Sequence, residues 1–201
     1  MCLSWFYYIF HLRKTLSGAN NNLLRPSVYN HGEGVKQDKE KAVYWYTKAA
    51  EQGDAYAQTI LGWCYQNGQG VKQDEEKAVY WYTIAAEQGN VLAQYNLGWC
   101  YQFGEGVKQD QEKAVYWYTL AAEQGHATAQ SNLGYCYSNG IGVKQDEEKA
   151  VYWYTLAAEQ GDADAQSNLG YCYSNGIGVK QDEEKAVEWY TKAESKGILM
   201  L

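Results

Sequence analysis

An all-α fold, a right-handed α-solenoid of antiparallel helix pairs, is what the sequence predicts, and three observations predict it. The stretch 126–161, HATAQSNLGYCYSNGIGVKQDEEKAVYWYTLAAEQG, nearly repeats on moving along by 36 residues. Apolar residues inside each copy recur at helical spacing. Glycine-bearing connections between them are too short for anything except antiparallel neighbours. A fixed period in this range marks a stack in which each unit buries its apolar face only against its neighbours.

The register is carried by Val35, Val71, Val107, Val143 and Val179, by Trp45, Trp81, Trp117, Trp153 and Trp189, and by Gly53, Gly89, Gly125, Gly161 and Gly197. It divides the chain into a non-repeat extension (1–24), a partial first copy (25–53), four full copies (54–197) and a tail (198–201). Within the extension, the apolar run Leu3–Leu12 is far shorter than the roughly 20 residues that span a bilayer. It also lacks the basic start and small-residue cleavage site of a signal peptide. Residues 15–27 are the one place for a degenerate first helix of the partial copy.

Residues 54–89 illustrate a full copy. Asp54 is placed to N-cap a first helix by accepting from an early N–H. Ala57, Leu61, Cys64 and Tyr65 form its inward face. Gly62, repeated as Gly98, Gly134 and Gly170, costs up to about 1 kcal/mol inside a helix, so its recurrence implies close approach by the partner helix. Asn67-Gly68-Gln69-Gly70-Val71 is a turn whose glycines are free to take positive φ, and Val71 tucks back under the pair. Asp74 then caps a second helix whose positive end favours Glu75 and Glu76. Ala78, Trp81, Tyr82, Ala85 and Ala86 give that helix a wide apolar surface. Gly89 ends it in left-handed geometry, and Asn90 caps the next helix at once. Ala50, Ala86, Ala122 and Ala158 face the following unit; the last copy carries Glu194 there, a polar residue suited to an uncovered end.

Composition narrows the function classes. Apolar residues make up 46% of the chain, 20 tyrosines among them, so a continuous core is within reach. The net charge of −7 argues against a nucleic-acid partner, which would call for a Lys/Arg-rich stripe. Cys64, Cys100, Cys136 and Cys172 share one position of the repeat. Equivalent stacked helices stand roughly 8–10 Å apart, beyond the Cα separation of about 7 Å that a disulfide tolerates. They read as small buried hydrophobes in a reducing compartment, hence a cytoplasmic protein. His11, His31 and His126 are scattered, so no metal site is expected.

Ala57-Gln58, Leu61-Gly62, Tyr65, Gly68-x-Gly70-Val71, Asp74, Lys77-Ala78, Trp81-Tyr82 and Ala85-Ala86-x-Gln88-Gly89 together resemble the Sel-one-like repeat, a relative of the tetratricopeptide repeat. The resemblance implies an adaptor: members serve in ER-associated degradation complexes, activate chitin synthase in fungi, or meet host factors as bacterial proteins. It therefore also implies an alternative, a secreted or ER-associated protein of the same fold. One cysteine-rich branch is linked to β-lactam binding, but it carries two cysteines per unit where this chain has one, and no S-x-x-K occurs.

No enzyme is expected. The chain has no G-x-x-x-x-G-K-[ST], H-E-x-x-H, C-x-x-C or G-x-S-x-G, and no cofactor motif. The Asp/Glu pairs at 75–76, 147–148 and 183–184 are solvated first-turn charges. Binding of a protein or peptide is expected instead. Beyond their constant residues the first helices show a further face, at spacing i, i+4, i+7, i+11. In the tetratricopeptide-like architecture this face lines the concave groove. It gives as candidate partner-binding residues Trp63, Asn96, Trp99, Phe103, Asn132, Tyr135, Asn168 and Tyr171. Asn96, Asn132 and Asn168 form an amide ladder suited to an extended backbone, and the rings are rigid apolar contacts. The competing reading has the asparagines bonded to adjacent helices. A second, convex row of Tyr44, Tyr80, Tyr116 and Tyr152 is expected to lie flat over the apolar stems beneath it.

Overall fold

Aspartate, asparagine and glycine punctuation decides where each helix begins and ends. The structure, a computed structural model, describes residues 38–198. They form α1 (Lys39–Glu51), α2 (Ala55–Asn67), α3 (Glu75–Glu87), α4 (Val91–Phe103), α5 (Gln111–Glu123), α6 (Ala127–Asn139), α7 (Glu147–Glu159), α8 (Ala163–Asn175) and α9 (Glu183–Ile198), with no strand among the described residues. Each helix packs against the one before and the one after it, as an all-α solenoid requires. The expectations for residues 1–24 and for a first helix at 15–27 lie outside the described residues.

The caps fall where the sequence puts them. Asp74 accepts from the Lys77 N–H at 3.0 Å, and Asn90 from the Ala93 N–H at 3.0 Å. Lys77 closes the same turn by reaching Asp74 at 2.9 Å while its ammonium sits 5.4 Å from the centre of the Tyr65 ring. The ion pair is exposed and contributes little by itself. Its position over an aromatic face of the partner helix explains why a lysine returns there in each copy. Gly68 ends α2 with φ 64°, its N–H bonded to the Cys64 carbonyl.

Packing is layered. Ala78, Tyr82, Ala85 and Ala86 of α3 join Ala93, Leu97 and Cys100 of α4 in one buried cluster, over which Trp117 of α5 closes half-buried. Val79 is buried as well, a core position that the periodicity reading passed over. At Gly62 the close neighbour is a ring: an added Cβ would stand 2.7 Å from Tyr82, with the Ala78 carbonyl at 3.1 Å. Glu194 on α9 is exposed.

Two devices join one unit to the next. The first is a buried glutamine relay. Gln94 donates to the Ala86 carbonyl at 3.2 Å, and its own oxygen accepts from Gln124 at 2.7 Å. The Ala86 carbonyl also accepts from the Gly89 N–H at 2.9 Å, so the glutamine adds a second bond to it and ties the end of one unit to the first helix of the next. Gln58 with Gln88 and Gln130 with Gln160 repeat it. The second device is a backbone contact. Gly106, at φ +68°, lies so close to the Glu75 carbonyl that a Cβ would land on it, and Gly70, Gly142 and Gly178 repeat the arrangement.

Cys64, Cys100, Cys136 and Cys172 are free and buried. Burial pushes the Cys64, Cys136 and Cys172 thiols up to about 11 and Cys100 up to about 12. Because the thiolate is the reactive species, none of the four should titrate with Ellman's reagent in native protein at pH 8. All four should react in 6 M guanidinium (a laboratory condition of about that strength). Rapid native labelling, mapped by peptide mass, would contradict the buried placement.

Candidate functional site

With Ala57, Leu61 and Cys64 turned inward, α2 presents Tyr56, Ile60, Trp63 and Asn67 along an adjacent stripe. The same stripe recurs on α4, α6 and α8. Its rings are open to solvent: Trp63, Trp99, Phe103, Tyr135 and Tyr171 expose between 36% and 55% of their surface. Trp99 and Phe103 pack together, with centroids 4.3 Å apart. Asn96, Asn132 and Asn168 are half-buried between the rings.

Burial raises the pKa of the Tyr118 phenol on the neighbouring α5, and Asn132 lies near enough to it to act in the lowering direction. Asn67, Asn139 and Asn175 donate to the carbonyls of Trp63, Tyr135 and Tyr171 one turn back, each at 2.9 Å. The outer tyrosines differ from expectation. Tyr44, Tyr80, Tyr116 and Tyr152 remain 55–58% exposed. Each meets its neighbouring tryptophan edge-on, with centroids 5.0–5.3 Å apart, where a flat-lying ring was expected. Successive residues point to different sides of a helix, so the tyrosine cannot cover the stem beneath it while its neighbour packs inward.

Two concavities open on the first-helix face. One, of about 440 Å3, lies between α2 and α4, and Trp63, Tyr95, Asn96, Trp99, Glu75 and Glu105 line it. The other, of about 230 Å3, is mostly apolar, with Val43, Tyr46, Ile60 and Leu92 in its wall and Lys39, hydrogen-bonded to Gln69, beside them. Trp63 and Asn96 belong to both. Glu105 is anchored by neutral donors: Gln66 Nε2 at 2.9 Å and Trp99 Nε1 at 3.4 Å. Gln66 in turn accepts from the Tyr82 hydroxyl at 2.9 Å, so the buried core of a hairpin holds this cleft in place.

Glu105 and Tyr95 were missed by reading a single helical spacing. The signal for both is departure from the other full copies: Glu105 stands where they have Gln69, Ile141 and Ile177 (the partial copy has Glu33), and Tyr95 where they have Thr59, Ser131 and Ser167. Tyr95 stacks on His126 at 4.7 Å, and His126 replaces the usual acidic or amide N-cap, its Nδ1 accepting from the Ala129 N–H at 3.2 Å. Burial lowers the His126 pKa below its ordinary 6.5, and Asp162 partly opposes this. A histidine held neutral in the fold binds fewer protons than in the unfolded chain. Its stability contribution is therefore full above about pH 6.5 and lost as pH falls through the folded value. Between pH 7.5 and 5.5 the melting temperature should drop by a few degrees more in the native chain than in His126→Asn, whose cap does not titrate (about 2–4 °C per kcal/mol at this size). Equal slopes would count against the neutral cap.

Among the described residues no group of three or more His, Cys, Asp or Glu is arranged to hold a metal ion. No helix among them is long and apolar enough to cross a membrane.

Comparison with known proteins places this geometry. The family model of the Sel1 repeat matches residues 27–54, 55–90, 91–126, 127–162 and 163–198. Among solved structures, the chain is similar to c5321, a protective antigen present in uropathogenic Escherichia coli strains that displays an SLR fold. Identity is 40% and the TM-score 0.85, over 88% of this chain and 38% of that one. A Sel1 repeat protein from Oxalobacter formigenes is 39% identical, with a TM-score of 0.81 over 87% of this chain and 71% of the other. Helicobacter pylori cysteine rich protein B is 29% identical, with a TM-score of 0.52 over 67% and 96%. No curated protein matches the chain.

Proposed function

The chain belongs to the Sel1 repeat family, and from that premise we propose that it is a non-catalytic scaffold holding a protein or peptide partner in the groove of its first helices. The observation that carries this is the row of exposed rings. Trp63, Trp99, Tyr135 and Tyr171 keep register through four units, on a face that no neighbouring helix among the described residues covers. Burial of exposed aromatics is what binding hot spots supply. The groove is built on helices locked by caps, by glutamines and by glycine contacts, so little order has to be gained on binding. Asn96, Asn132 and Asn168 offer half-buried amides to an extended backbone.

The test is affinity capture with the native chain, followed by titration of the recovered partner against Trp99→Ala and Tyr135→Ala. At least tenfold weaker binding in both variants supports the groove; unchanged affinity in both refutes it.

We place the protein in the cytoplasm, where four unpaired thiols persist. A second reading, export of the same fold, is favoured by its similarity to the E. coli protective antigen, of which this chain spans 38%. Fractionation separates the two: recovery outside the cytoplasm overturns the first.

A further inference from the structure

Resting on the groove reading, we infer that the cleft between α2 and α4 accepts a lysine or arginine side chain of the bound segment, with an apolar side chain of the same segment seated in the adjoining pocket. The charge of the cleft is the first ground. Glu75 and Glu105 both face it, and none of its lining residues is lysine, arginine or histidine. Among the described residues, the ion pairs engage neither carboxylate. Gln66 and Trp99 orient Glu105 without neutralising it. A cation entering here gains a charge-assisted bond that the protein itself does not provide.

Aromatic chemistry is the second ground. The cleft is walled by Trp63 and Trp99, and tryptophan offers the strongest face to a cation. The corresponding residues further along are tyrosines, Tyr135 and Tyr171. Glu105 has no acidic counterpart at Gln69, Ile141 or Ile177, and Glu33, its counterpart in the partial copy, is accompanied by Ser27 in place of the tryptophan. Carboxylate and paired indoles thus coincide at one step of the repeat. That solves a problem peculiar to periodic grooves: units of equal shape would let a partner slip from one to the next, and a single charged pocket fixes its register.

The apolar pocket supplies the neighbouring specificity. It shares Trp63 and Asn96 with the acidic cleft, so the two adjoin along a wall that carries an amide able to meet a peptide backbone. In an extended segment, residues two apart point to the same side. The recognised pattern is therefore a large apolar residue and a basic residue separated by one position.

A phage library of random dodecapeptides (about twelve residues, roughly 40 Å extended) selected on the immobilised full chain tests this. A recovered peptide is then labelled and titrated by fluorescence anisotropy. Enrichment of the apolar-x-basic pattern is expected. So is an at least tenfold loss of affinity when the basic residue becomes norleucine, a similar loss in Glu105→Gln, and a flatter salt dependence in that variant. Glu75→Gln, at the exposed first turn of α3, provides the same readout without disturbing Gln66. Peptides that need Trp99 but bind Glu105→Gln and Glu75→Gln as tightly as the native chain would overturn the basic-residue inference and leave the groove standing. Recovery of no binding peptide, or binding indifferent to Trp99→Ala, would remove both.

Discussion

Gly106→Ala should lower stability by more than about 3 kcal/mol, among the largest effects of any single substitution. Two costs combine. An L-residue at φ +68° is strained by roughly 1–2 kcal/mol. The new methyl also lands on the Glu75 carbonyl, and Glu75 cannot retreat because it opens α3. The junction between units must separate instead. Gly104→Ala is the control: at φ +76° it meets only ordinary contact, with Gln109 Cβ at 3.4 Å, and should cost no more than the strain. Urea unfolding followed by circular dichroism distinguishes them. A stack of near-identical units weakened at one junction should also melt in two steps. Equal midpoints for the two alanine variants would contradict the backbone contact.

The second large effect is expected at Tyr118, which is fully buried, covers Gly98 and donates to Gln102 Oε1 at 2.6 Å. Truncating a buried ring of this size costs about 3–5 kcal/mol, so Tyr118→Ala should remove much of the cooperative transition. Tyr118→Phe keeps the ring and loses one hydrogen bond, about 1 kcal/mol. Gly98→Ala puts a methyl 2.7 Å from the same ring. Its cost should shrink sharply in the Tyr118→Ala background, since the two changes share one volume. Additive losses in that double variant would show that the ring and the glycine are not in contact.

Much of the fold was legible because its signals are local. A capping aspartate or asparagine and a terminal glycine fix each helix from within a few residues, as at Asp74, Asn90 and Gly89. The glutamine relay was not legible. Gln58 and Gln88 recur visibly, but a glutamine reads as surface until the stack brings the Ala50 carbonyl beside Gln58. The exposed aromatic row could be read because it is what remains after the inward stripe is assigned. Glu105 could not, for it lies in a turn where helical spacing says nothing, and only the fold carries it back to Trp99 and Gln66.

The glycine-to-carbonyl contact and the glutamine relay have a consequence for inheritance. Every junction uses the same few groups, most of them main-chain, so any unit can follow any other. In-frame duplication or loss of a whole copy leaves each seam chemically familiar, and the molecule can lengthen or shorten without inventing a new interface. The exposed rings of the open face take no part in those two devices, and of its carboxylates among the described residues Glu105 alone reaches across a junction, to Gln66. Recognition can drift from copy to copy while the architecture is passed on intact.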